Sequence, residues 1–320
     1  MNKKLRQGFT FIELLFVIVV MGIVGGIALE AIRQYYEGIY RTQTYTQRVN
    51  EADHILDQLT KYFENAIDIS IVNLDPRAVG AGDGTLGDSN CSEPGEEANE
   101  ATAHDYTVAF LGVDVDSLRV GSTPGWSEQP IMDFITVPTA PTLTSNDANF
   151  TAANDVITAL YPASNLASSA IYNHQGLVGS CSHFNWDGAG GLQGYYTIAG
   201  VAGNTLTLTD NAPGGTMNPD GLQKYLIRTG YAFRVLDSGN FVMYTNFRPW
   251  QNEVYTGGRQ STLGQNVASF YADFNNTNSF SDRGSVWRLK VCMRGLESNL
   301  STSDIAASAI CRERRVHVRY

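Results

Sequence analysis

The opening of the chain separates sharply by polarity. Lys3, Lys4 and Arg6 fall within the first eight residues, and residues 9–29 then run apolar with a single charge, Glu13. A helix rising 1.5 Å per residue over that length covers roughly the 30 Å hydrocarbon core of a bilayer. Helical spacing continues beyond it. Ile32, Tyr35, Tyr36 and Ile39 fall at i, i+3, i+4 and i+7, and Ala52, Ile55, Leu56, Leu59, Phe63 and Ala66 repeat the pattern. The pattern predicts one helix running to about Ala66. Residues 41–50 form a polar interval, and the second stripe is the face that docks on a folded domain.

After the helix the periodicity changes. Residues 75–104 are rich in Gly, Asp, Glu, Asn and Ser and read as a long loop. Short β-like runs then recur between turn signals, at residues 106–111, 131–137, 156–161, 195–199, 205–209, 225–228, 231–236, 241–244, 267–274, 286–293 and 314–320. One long N-terminal helix packed on a mainly antiparallel β domain is an α+β arrangement. The predicted organisation is a leader at 1–8, a membrane-spanning helix at 9–29, its continuation at 30–66 and a β-rich head at 67–320.

Charge adds an orientation. The basic side of the span is short, so the positive-inside rule holds it in the cytoplasm and places the remainder outside, in the periplasm of a bacterial cell. A secretory signal would carry its small-residue cleavage site after the apolar run, whereas Gly8 stands before it. Cleavage there keeps the hydrophobic helix on the mature chain. With 22 Lys+Arg against 32 Asp+Glu, the net charge of −10 argues against a general nucleic-acid binder. The charge is also uneven. Residues 75–155 hold fourteen acidic side chains against Arg77 and Arg119, and residues 283–320 hold eight basic against three acidic. Two solvated faces or two complementary surfaces both fit that asymmetry.

The string Gly8-Phe9-Thr10-Phe11-Ile12-Glu13-Leu14-Leu15 after a basic leader resembles the prepilin cleavage and methylation signal of type IV pilins and type II secretion pseudopilins. The resemblance implies a prepilin peptidase that cuts between Gly8 and Phe9 and methylates the new amine of Phe9. It also implies that Glu13 pairs with that amine in a neighbouring subunit during assembly. Physical chemistry agrees that Glu13 needs a reason to be there, since a carboxylate at the centre of a membrane helix costs about 2.5–3.5 kcal/mol on insertion scales. Gly22, Gly25 and Gly26 include a G-x-x-x-G spacing that lets helices approach closely. Many major pilins carry a proline later in this segment, where this chain has Glu30 and Ala31.

The order of the strands at 231–236, 241–244, 266–274 and 286–293 is similar to the C-terminal half of the larger minor pilins and J-type minor pseudopilins. That implies a minor subunit that initiates or caps a filament serving secretion, DNA uptake or pilus assembly. Its partners are then the prepilin peptidase, other pilin or pseudopilin subunits and the inner membrane. A reading from a different class makes the chain a pilus-tip adhesin or DNA- or surface-binding module. That reading exposes the aromatic stretch Tyr244-Thr245-Asn246-Phe247-Arg248-Pro249-Trp250 to its ligand. Burial of those aromatics in a core is the alternative.

Other chemistry is sparse. The four cysteines show no zinc-like spacing, and in an oxidising compartment an even number fits two disulfides. Of three pairings, the one adopted joins Cys292 to Cys311 and, by elimination, Cys91 to Cys181, with free buried thiols as the alternative. Asp273, Asn275 and Asp282 offer oxygen ligands for calcium but lack the glycine and terminal glutamate of an EF-hand loop. Asn149, Asn275 and Asn299 sit in acidic-x-Asn-x-Ser/Thr stretches that resemble a bacterial N-glycosylation acceptor. His54, His104, His174, His183 and His317 are scattered, and no G-x-S-x-G or phosphate loop is present. The expectation is therefore a structural subunit, not an enzyme, with no cofactor.

Overall fold

The computed structural model describes residues 10–74, 91–92, 107–115, 142–144, 149–173, 184–186, 195–210, 224–274, 285–295 and 309–318. The chain divides into two compact units, one reaching Asn50 and one beginning at Glu51. The first helix, α1 (Phe11–Phe63), opens in the first unit and ends in the second.

The second unit is built on antiparallel strands. In chain order these are β1 (Val72–Leu74), β2 (Cys91–Ser92), β3 (Thr107–Val113), β4 (Thr142–Thr144), β5 (Ala170–Asn173), β6 (Tyr195–Ala202), β7 (Thr205–Asp210), β8 (Lys224–Val235), β9 (Phe241–Phe247), β10 (Arg259–Gly264), β11 (Val267–Phe274), β12 (Ser285–Met293) and β13 (Ile310–Val318). A short helix, α2 (Phe150–Leu160), follows β4. The larger sheet runs β2-β1-β3-β8-β5-β6-β7-β4, with β9 also on β8 and β10 on β9, while β11-β12-β13 form a second sheet. A long apolar helix followed by a mainly antiparallel β domain is the α+β layout.

Period-two alternation explains why β3 is buried at every position. Val108 and Phe110 face a cluster shared with Ile55, Leu56, Leu59 and Phe63 of α1 and with Trp287, Leu289 and Val291 of β12. Ala109, Leu111 and Val113 face a second cluster on the other side, with Tyr172, Trp186, Tyr195, Ile227 and Trp250. A third cluster joins α2 to Tyr196, Ile198, Leu206 and Leu226. Each large apolar side chain removed from water in this way stabilises the fold by about 1.5–3 kcal/mol. Gly264 ends β10 where a Cβ would collide with the Ile55 side chain, so the helix sits close against that strand.

Three elements differ from the sequence expectation. The helix stops at Phe63, where Asn65 N–H bonds Tyr62 O and Ala66 N–H bonds Phe63 O in tightened turns. Ala66 then bridges Gly112 of β3, so its apolar character serves the sheet. Of residues 156–161, expected as a strand, 156–160 are the second half of α2 and Tyr161 is its C-cap. Asn149 Oδ1 accepts from Ala152 N–H at 3.0 Å to cap that helix, and Phe150, Ala153 and Ile157 bury one face. Residues 225–228 and 231–236, expected as two strands, form the single strand β8. The expected strand at 131–137 lies outside the described residues, as does most of the expected loop at 75–104.

Candidate functional site

The first unit presents its chemistry on the outside of α1. Every large apolar side chain from Phe11 to Leu29 is exposed, up to 81% at Phe11, and this stretch is long and apolar enough to cross a membrane. Near its start, Glu13 folds back on the helix terminus. The Thr10 backbone N–H and the Thr10 hydroxyl each donate to Glu13 Oε2 at 3.2 Å. The carboxylate thus satisfies one of the orphan donors at the positive end of the helix. Among the described residues no cation pairs with it. Gly8 and Phe9 lie outside the described residues.

A Cβ added at Gly22, Gly25 or Gly26 would meet nothing within 4 Å. Among the described residues, no contact therefore requires a glycine at these positions. Each glycine lowers helix stability by about 0.8–1 kcal/mol relative to alanine.

Beyond Leu29 the helix surface becomes ionic. Arg33 binds Glu30 through two parallel contacts, Nη2–Oε1 at 2.9 Å and Nε–Oε2 at 3.0 Å, and reaches Glu37 Oε1 at 3.2 Å. Gln34 adds a bond to Glu30 at 3.1 Å. Hydrogen bonding to Arg33 holds the Glu30 carboxyl below its ordinary value and raises Arg33 in return. Glu30 stands three residues before Arg33 and Glu37 four after it, the spacings at which side chains meet on a helix surface.

In the second unit, Cys292 and Cys311 are joined by a disulfide, with an S–S distance of 2.05 Å, and sit opposite each other in the β12–β13 register. Cys91 is also disulfide-bonded, and Cys181 lies outside the described residues. Asp273 accepts from Arg288 Nη2 at 2.7 Å, a charge-assisted contact that calcium would have to displace. Asn275 and Asp282 lie outside the described residues, and among the described residues no group of three metal-ligating side chains is found. Asn149 is exposed, with its Oδ1 engaged as the α2 cap, and Asn299 lies outside the described residues.

The aromatic stretch at residues 244–250 takes the buried of its two readings, the commoner fate of aromatic side chains. Tyr244 is 8% exposed, Phe247 1% and Trp250 3%, all within the second cluster. Trp250 Nε1 donates to Ser168 O at 3.2 Å, and Arg248 pairs with Glu253 at 3.0 Å. These rings hold the core together and present no face to a ligand. Sequence reasoning also missed a pair of helix-to-strand contacts, Asp53 with Arg312 and Asp57 with Arg314. The signal was present as i, i+4 acids facing i, i+2 bases, though nothing local joined them.

Residues 3–29 match the family model described as the prokaryotic N-terminal methylation motif. No curated protein and no solved structure matches the chain.

Proposed function

The chain carries the prepilin signal of type IV pilins in residues 3–29, and from that premise we propose that it is a minor pilin or pseudopilin, a structural subunit that initiates or caps a type IV pilus-like or type II secretion filament. The single observation that carries the reading is the placement of this signal on an apolar helix left wholly exposed.

The chemistry proceeds in three steps. A prepilin peptidase removes the basic leader after Gly8 and methylates the amine of Phe9, while Lys3, Lys4 and Arg6 keep that end cytoplasmic. The helix remains in the inner membrane with the second unit in the periplasm. On assembly, the Glu13 carboxylate leaves its contact with Thr10 for the Phe9 amine of a neighbouring subunit, an attraction strengthened by low dielectric. The glycines at 22, 25 and 26, where an added Cβ would meet nothing among the described residues, support close approach of a second helix. A β unit running from Glu51 to Tyr320 is bulky for a repeating subunit, which supports a terminal position where lateral crowding is relieved.

Mass spectrometry of the mature protein tests the processing step. The expected N-terminus is Phe9 with a methyl group on its amine. An N-terminus after Leu29 overturns the proposal, because the filament-forming helix would then be gone.

A further inference from the structure

The start of α2 sets an amide at the surface with its two ends in different states. Asn149 is exposed and precedes the helix with φ −119° and ψ 88°. Its Oδ1 accepts from Ala152 N–H at 3.0 Å, while its Nδ2 makes no hydrogen bond among the described residues. The next residue, Phe150, is fully buried in the third cluster and anchors the turn between Asn149 and Thr151, both of which are exposed. Thr151 thereby presents a hydroxyl two residues beyond the amide. Capping alone does not call for asparagine, since Asp and Ser cap equally well. Of the three, only asparagine also offers an amide nitrogen.

Asn-x-Ser/Thr with x other than proline is the acceptor pattern for an N-linked sugar, and Asp147 completes the acidic-x-Asn-x-Thr stretch in the sequence. The linkage forms at Nδ2, so a sugar takes the free end of the amide while the carbonyl goes on capping α2. The position also stands clear of α1. Phe150 N–H donates to Gly203 O at 3.0 Å in the exposed turn between β6 and β7, and the cluster beneath α2 contains no residue of α1. A bulky, polar group here leaves the helix-docking face untouched. We infer that Asn149 is a glycosylation site whose donor is an oligosaccharide carried on a lipid diphosphate. Nδ2 attacks the anomeric carbon, the new N–C bond forms as the C–O bond to the diphosphate breaks, the lipid diphosphate leaves, and the amide proton passes to a base of the transferase. The inference rests on the periplasmic placement proposed above, because such a donor and its transferase are met at the outer face of the inner membrane.

The test is peptide mapping by mass spectrometry of the full chain purified from its own source. The peptide holding Asn149 is expected to carry a sugar mass, with fragment ions that place it on the asparagine. Thr151→Ala and Asn149→Asp should each lose that mass, and Thr151→Ser should keep it. Both losing variants should fold, since Asp retains a capping oxygen and Ala suits the first turn of a helix. An unmodified Asn149 in the wild-type protein overturns the inference. A sugar on this peptide that survives Asn149→Asp overturns it too, by assigning the linkage to a hydroxyl. The same digest reports the N-terminal peptide and so separates the two readings. Bare Asn149 beside an N-terminus at Phe9 removes the glycan alone, whereas an N-terminus after Leu29 removes the pilin reading whether or not Asn149 is modified.

Discussion

Arg312 of β13 grips Asp53 of α1 with both ends of its guanidinium, Nε to Oδ1 at 3.1 Å and Nη2 to Oδ2 at 3.3 Å. One step along, Arg314 meets Asp57. The match is geometric. Four residues of helix rise about 6 Å and two residues of strand about 6.7 Å, so acids at i and i+4 fall opposite bases at i and i+2. The C-terminal strand is thereby registered against the helix, and the basic C-terminal segment finds acids on α1.

The pH dependence of that register follows from Asp57. Hydrogen bonding to Arg314, and then its charge, lowers the folded-state value of the Asp57 carboxyl. A depressed carboxylate contributes stability that is present above its unfolded value, near 3.9, and is lost as pH falls through the folded value. Asp57→Asn is therefore expected to be less stable than wild type at pH 7, with the gap closing in acid below the carboxylate range. Both partners are exposed, so the gap should also shrink in 1 M salt. Denaturant midpoints across pH and salt measure it, and a gap that persists in acid would deny the pairing its role.

Glu13→Leu separates insertion from assembly. A charge at the centre of a span costs about 2.5–3.5 kcal/mol to insert, and removing one near its end relieves less than that, so the membrane pool and leader cleavage should equal or exceed wild type. Recovery in sheared filaments, or in a crosslinked complex with other pilin-type subunits, should fall. Normal recovery would show that Glu13 makes no assembly contact. Normal recovery together with failure of a cleavage-blocked Gly8 variant would assign the chain to the very tip, where no subunit above it needs the acid.

The Cys292–Cys311 bridge closes a separation of 19 residues. Loops of that order give about 3 kcal/mol of stabilisation on chain-entropy grounds. Replacing both cysteines by serine should lower the unfolding free energy by about 2–4 kcal/mol. A reductant should produce a similar loss in wild type and less in the variant. Equal stability with and without the bridge would mean that β12–β13 pairing needs no staple.

Trp250→Ala tests the core assignment of the aromatics at residues 244–250. A tryptophan at 3% exposure with its indole N–H bonded to Ser168 should cost about 3–5 kcal/mol on truncation. Chemical denaturation would register that loss. A fully stable variant would return Trp250 to the surface and revive an adhesive role.

What the sequence made legible was what periodicity or a contiguous motif encodes. The α1 stripe at Ala52, Ile55, Leu56, Leu59 and Phe63 could be read directly, because a helix that buries one face must repeat at 3.6 residues. The strand at 267–274 was equally plain. The cleavage signal could be read because it is a contiguous string of residues. By contrast, Val156, Ile157 and Thr158 carry β-branched side chains that suggest a strand, and the Asn149 cap with the burial of Phe150 and Ile157 overrode that propensity. Strand β10, Arg-Gln-Ser-Thr-Leu-Gly, has no apolar alternation and is held by its ladder to β9. The contacts of Arg312 and Arg314 join residues more than 250 positions apart, a distance over which no local pattern carries information.

Strand β8 sets how the second unit gains and loses its structure. It lines all three apolar clusters, with Phe233 and Val235 in the first, Tyr225 and Ile227 in the second and Leu226 in the third. No cluster can melt while the others keep an intact wall, so unfolding should be a single cooperative event. The same strand governs the kinetics. Its pairing with β3 sets Thr107 opposite Arg234, and the intervening chain must be closed before these two strands join. Such long-range closure is entropically slow. On the proposed route across the membrane, the chain would spend its most exposed interval with β3 and β8 not yet joined.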